Sequence, residues 1–154
     1  MDIEFNLMTE SVDQASPVEP ISVEPGTPIK DVLSVLRQRK RHSALVCRDG
    51  ILVGIFTERD ALRVMARNTD LTVPVEQVMT PQPVTVHASD KLGSAVQKMA
   101  TGGYRRLPIV DSAGHPLGLL NVAGIIHYLV QHFPKTIYNL PPAPQGMMQQ
   151  REGP

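Results

Sequence analysis

The strongest constraint on this chain is that it is written twice. Val23-Glu24-Pro25-Gly26-Thr27-Pro28-Ile29 stands over Val86-His87-Ala88-Ser89-Asp90-Lys91-Leu92. Apolar positions then keep step through Val32/Ala95, Leu33/Val96, Leu36/Met99, Leu45/Pro108 and Val46/Ile109. After one residue inserted in the second copy, Gly54-Ile55-Phe56-Thr57 lies over Gly118-Leu119-Leu120-Asn121. Upstream, Leu7-Met8-Thr9 resembles Val78-Met79-Thr80, which implies a longer loop before the first strand of the first copy, carrying Pro17 and Pro20. The copies fill residues 7–68 and 78–133, with 69–77 as a linker. A unit of this size cannot bury both faces of its own sheet. Two units packed about a pseudo-twofold axis can.

Each copy reads strand, helix, strand, strand, helix, an α/β (α+β) pattern. In the first, Ile21-Ser22-Val23 is a short strand, and Thr27 is positioned to cap a helix whose first residue is Pro28, where a missing N–H costs nothing. Ile29, Val32, Leu33 and Leu36 follow at helical spacing. Ser43 to Cys47 and Ile51 to Phe56 are strands joined by an Asp49-Gly50 hairpin turn. Thr57-Glu58-Arg59-Asp60 opens a second helix, with Leu62 and Met65 expected on its inner face. The second copy predicts strands at 84–86, 106–110 and 117–120, and helices at 90–100 and 121–132. Beyond Phe133, Pro134, Pro141, Pro142 and Pro144 exclude helix and central strand, so 134–154 reads as an extended, proline-rich tail.

Composition narrows the partners. Fifteen basic residues cancel fifteen acidic ones, so the electrostatic footprint of a nucleic-acid or anionic-lipid binder is missing. No apolar run reaches the ~18 residues that span a bilayer. The N-terminus is acidic where a signal peptide would be basic, and the expected location is cytoplasmic. The single cysteine, Cys47, sits in the apolar run Ala44-Leu45-Val46-Cys47 and reads as a small buried hydrophobe. The histidines show no ligand spacing, so no metal is expected. No nucleophile elbow or phosphate-loop signature occurs, and no catalytic residues are assigned.

The tandem β-α-β-β-α unit resembles a pair of cystathionine-β-synthase (CBS) domains, a Bateman module. The motifs that carry the resemblance are Val78-Met79-Thr80-Pro81, Arg105-Arg106-Leu107-Pro108-Ile109-Val110-Asp111 and Gly54-Ile55-Phe56-Thr57-Glu58-Arg59-Asp60. It implies a regulatory module that binds adenosine nucleotides (AMP, ADP or ATP) between the copies, needs no other cofactor, and dimerises.

The candidate site follows from that resemblance and from the chemistry of the residues. An ionised carboxylate accepts both hydroxyls of a ribose, so Thr57 and Asp60 are the candidate ribose contacts. Thr-x-x-Asp is also nearly a capping box, and the two roles are compatible. In the second copy the corner reads Asn121-Val122-Ala123-Gly124, without a carboxylate, so one competent site per chain is expected, on the first copy. Lys40-Arg41-His42 and Arg105-Arg106 precede the middle strands of the two copies. The resemblance implies that His42, Arg105 and Arg106 hold phosphate, and an Arg fork suits phosphate geometry. It places adenine among Val23, Ala44, Ile55 and Pro108, which as residues read equally well as sheet core.

The leading expectation is therefore a nucleotide-sensing module. The alternative from another class is a dimerisation scaffold that takes no ligand. S-adenosylmethionine also fits the adenosine chemistry, although two arginines at the phosphate position disfavour a cationic sulfonium. Leu62, Val64, Met65, Ile125, Ile126, Leu129 and Val130 supply more apolar helix surface than one sheet face needs. As residues they read equally well as internal core, and the resemblance, in which paired modules associate through these helices, implies a homodimer.

Overall fold

The computed structural model describes residues 9–132. The tail expected over 134–154 lies outside them. The first copy contributes β1 (Ser22–Val23), α1 (Ile29–Arg39), β2 (Ala44–Arg48), β3 (Ile51–Phe56) and α2 (Glu58–Ala66). Next come β4 (Thr80–Pro81), α3 (Leu92–Gly102), β5 (Arg106–Val110), β6 (Pro116–Asn121) and α4 (Val122–His132). The mixed α+β pattern and both hairpins are as expected. The β2–β3 turn has positive φ at both Asp49 and Gly50, which suits the right-handed twist of the flanking strands. In the second hairpin Asp111 Oδ1 accepts the N–H groups of Ala113 and His115, each at 2.9 Å, and sets the turn with a side chain instead.

The linkage between the copies is tighter than the repeat suggests. β4 pairs antiparallel with β3, so the sheet order β1-β2-β3-β4 ends on a strand that the repeat assigns to the second copy. Reciprocally, Val18 exchanges two backbone hydrogen bonds with Leu119 of β6. Val12 and Ala15, which lead the first copy, are fully buried in the core formed by α3, β5, β6 and α4. Each sheet is thus completed by the segment that leads into the other copy.

That exchange corrects the upstream register. A single 3-10 turn at Val12–Gln14 corresponds to one at Val75–Gln77, and both valines are fully buried. The flanking bridges match as well, Ser11 with Lys91 and Pro74 with Pro28. Val12 and Val75, Val23 and Val86, and Pro28 and Lys91 stand at one constant spacing, so the first copy has no longer loop. Leu7-Met8-Thr9 is not the counterpart of Val78-Met79-Thr80, because Thr9 precedes the turn and Thr80 follows it.

Two helix starts also move. Pro28, not Thr27, occupies the N-cap place of α1, and no side chain caps it. Thr27 is held elsewhere, since its carbonyl accepts the Val75 N–H at 2.8 Å. Likewise α3 begins at Leu92, two residues later than expected, because the Leu92 N–H donates to Glu10 O at 2.8 Å. Long-range backbone pairing outranks local capping at both places.

Among the described residues there are three cores. Ile29, Val32, Leu36, Phe56, Val64 and Val75 anchor the first, and Leu92, Met99, Leu107, Leu120 and Ile125 belong to the second. Leu45, Cys47, Ile55 and Leu119 form the third, where the two sheets meet. Cys47 is buried as expected, and burial pushes its thiol pKa up. Leu62 and Met65 are not on the inner face of α2. They are 63% and 67% exposed, while Asp60 and Val64 point inward.

Candidate functional site

Each hairpin ends where its second strand turns into a helix, at Thr57 after β3 and at Asn121 at the end of β6. The two corners are built differently. At the first, Asp60 is 1% exposed and its Oδ2 accepts the Thr57 backbone N–H at 2.9 Å and the Thr57 hydroxyl at 3.2 Å. Asp60 Oδ1 accepts the hydroxyl of Thr80 on β4 at 2.9 Å, and the Arg63 guanidinium stands 3.6 Å away. The carboxylate therefore caps α2 and ties the crossing strand to it. Its acceptor positions are largely filled from within the chain.

At the second corner Asn121 Oδ1 accepts the Gly124 N–H at 2.6 Å, which caps α4. Gly124 stands where the first copy has Asp60. A Cβ there would lie 3.2 Å from the Ser16 carbonyl and 3.3 Å from that of Ala15. The leading segment crosses so closely that no side chain fits comfortably, which is the physical reason for the missing carboxylate.

The basic residues come together from both copies. Arg106, the first residue of β5, donates from a guanidinium NH to Glu58 Oε1 at 2.5 Å, and Glu58 opens α2 of the other copy. Partial burial pushes the Glu58 carboxyl up, but the Arg106 hydrogen bond and charge outweigh it, with a smaller contribution from His42, and hold its pKa below the ordinary value. At the equivalent places of the second corner stand Ser43 and Val122, which make no such pair. That corner is open. A cavity of about 600 Å³ lies there, with an apolar wall of Val18, Ile21, Leu119, Val122 and Ile126. Its polar lining is Arg41, His42, Ser43, Arg105, Arg106 and Asn121.

Of the expected site residues, the cavity brings together His42, Arg105 and Arg106. Thr57 and Asp60 lie outside it, in the closed capping box of the first corner. Val23, Ala44, Ile55 and Pro108 also lie outside it. Ala44 belongs to the first core, Ile55 to the core between the sheets, Pro108 is buried in β5, and Val23 is half-buried against the first core. Arg41, Ser43 and Asn121 are lining residues that the motif reading did not select. The Lys40-Arg41-His42 run and the repeated corner pointed at two of them, whereas nothing local marks Ser43. Among the described residues no group of His, Cys, Asp or Glu side chains is placed to hold a metal ion. No helix among them is long and apolar enough to cross a membrane.

An opening of this size, apolar on one wall and cationic on the other, suits a flat organic group carrying phosphate. The CBS-domain protein YhcV of Bacillus subtilis is 35% identical over 102 residues, covering 66% of this chain and 73% of that protein. The plant protein CBSCBSPB5 of Arabidopsis thaliana is 34% identical over 102 residues, and there the match spans 18% of the relative's length. The solved structure of CBSX2 in complex with AMP superposes with a TM-score of 0.70 at 26% identity, covering 79% of this chain and 98% of that one. The CBS-domain family model matches residues 6–67 and 75–131, and the chain belongs to the CBS-domain family as a tandem pair.

Proposed function

We propose that this CBS pair is a regulatory module that senses an adenosine nucleotide, AMP, ADP or ATP, in the cleft between its two copies and performs no catalysis of its own. The observation that carries this reading is the cavity at the Asn121 corner, where Arg41 and His42 of the first copy converge with Arg105 and Arg106 of the second. The likeness to CBSX2, which was solved with AMP, supports the choice of ligand. In this reading phosphate lies against His42, Arg105 and Arg106, and the base against the apolar wall.

The Thr57–Asp60 corner is the other place for a ribose, with adenine then against Val23, Ala44, Ile55 and Pro108. Occupation there requires the ligand to displace the Thr57 or Thr80 hydroxyl from Asp60. The open cavity is therefore the preferred site. Substituting Arg105 and Arg106 together by Gln tests the reading. ATP and AMP should weaken much more than adenosine, because only the phosphate contacts are lost. In a thermal-shift screen a ligand at 100 times its Kd adds about 2.7 kcal/mol of stability. No shift with any adenosine nucleotide favours the ligand-free scaffold. Asp60→Ala assigns the corner, since unchanged AMP affinity places the ligand at Asn121 and a loss of more than about tenfold places the ribose on Asp60.

We also propose a homodimer formed through α2 and α4. Leu62, Met65 and Ile126 are 63%, 67% and 55% exposed on those helices, apolar surface that association would cover. Light scattering that returns the 16.9 kDa monomer at micromolar concentration would refute it.

A further inference from the structure

Arg106 is shared between two places. Arg106 lines the open cavity together with Arg41, His42 and Arg105, yet one NH of its guanidinium is spent on Glu58 at 2.5 Å. Glu58 does not line that cavity. A guanidinium presents the same forked donors to a carboxylate as to a phosphate, so the two compete for one group.

The pseudo-twofold shows that the fold does not need this ion pair. The places equivalent to Arg106 and Glu58 are held by Ser43 and Val122, and β2 and α4 form there without it. Glu58 is also well placed to be released. It is the first residue of α2, where the helix N-terminus stabilises a negative charge, and its side chain is 46% exposed to water. The Arg106 side chain is only 19% exposed, so its charge is the one that most needs a partner.

We infer that Glu58 is an internal competitor for the anion, a carboxylate of the first copy that holds Arg106 of the second until a ligand's phosphate takes its place. This rests on the nucleotide reading above. It adds a residue that sets how strongly phosphate is favoured, and a contact between the copies that ligand binding breaks.

The test is calorimetric titration of wild type, Glu58→Gln, Arg106→Gln and the double variant with ATP, adenosine and inorganic pyrophosphate. Glu58→Gln should bind ATP and pyrophosphate about three- to tenfold more tightly, since it removes both a competing ion pair and a repulsive charge. Adenosine affinity should not change. The gain should vanish in the Arg106→Gln background. An unchanged or weaker ATP affinity overturns the inference, as does a gain that persists without Arg106 or that adenosine shares. If neither ATP nor adenosine binds wild type while pyrophosphate binds and gains on Glu58→Gln, the nucleotide reading fails and the competitor stands. If ATP binds and Glu58→Gln gives no gain, the reverse holds. If none of the three binds any variant, both fall. Glu58→Ala repeats the measurement should the Gln variant fold poorly.

Discussion

The hydroxyl of Thr80 donates to Asp60 Oδ1 at 2.9 Å, and so joins the strand that leads into the second copy to α2, the helix that follows the hairpin it pairs with. Asp60 is therefore more than a cap. Its buried carboxylate also accepts from Thr57, so Asp60→Ala removes three hydrogen bonds. We expect a loss of about 2–4 kcal/mol in urea denaturation, and about 1 kcal/mol for Thr80→Val. A loss below about 1 kcal/mol for Asp60→Ala would reduce the residue to an ordinary helix cap.

The Glu58–Arg106 pair should appear in the pH dependence of stability. The folded pKa of Glu58 lies below its ordinary value of 4.5. Its contribution is therefore present above about pH 4.5 and lost as pH falls through the lower folded value. With Glu58 46% exposed, the contribution is screened and stays under about 1 kcal/mol. Glu58→Gln should be slightly less stable than wild type at pH 7, and the two should converge once pH falls below the lowered folded value, and also in about 1 M salt. A difference that is independent of pH would show that the charge contributes nothing.

Lys40 ends α1 in the left-handed region, with φ 53 and ψ 47, and Gly103 ends α3 in the same conformation at φ 71. Only the glycine adopts it without strain. Lys40→Gly should accordingly stabilise the protein by about 0.5–1 kcal/mol, read as a rise in Tm, despite the greater freedom of glycine in the unfolded chain. Gly103→Lys should do the opposite.

Restoring the carboxylate at the second corner should fail. In Gly124→Asp the new Cβ would stand 3.2 Å and 3.3 Å from the carbonyls of Ser16 and Ala15, and it would carry a carboxylate into a place crowded by acceptors. A loss of more than about 2 kcal/mol by thermal or urea unfolding is expected. A variant as stable as wild type would mean that the leading segment moves aside at little cost.

Much of this protein was legible in the sequence because its information is local and repeated. The apolar spacing of Ile29, Val32 and Leu36, the Asp49-Gly50 turn, the paired hairpins and the Thr57-x-x-Asp60 corner each reveal themselves within a few residues, and each appears in the fold. The convergence of His42 with Arg105 and Arg106 was also readable, since it follows from doubling the unit about a twofold axis.

What only the tertiary structure decided depends on contacts between segments far apart in the chain. Nothing near Thr80 says that it pairs with Ile55 and reaches Asp60, and nothing near Val12 says that it fills the other copy's core. Those crossings moved the helix starts at Ile29 and Leu92, because a backbone N–H bonded across the molecule has no use for a local cap. They also separated the two corners. Close passage of Ala15 and Ser16 leaves little room for a side chain at 124, and Glu58 draws Arg106 to the first corner, while Ser43 and Val122 leave the second open. The sequence alone determined that there are two corners with cations between them. Which corner holds a cavity was decided by side chains that meet only after the two copies have packed.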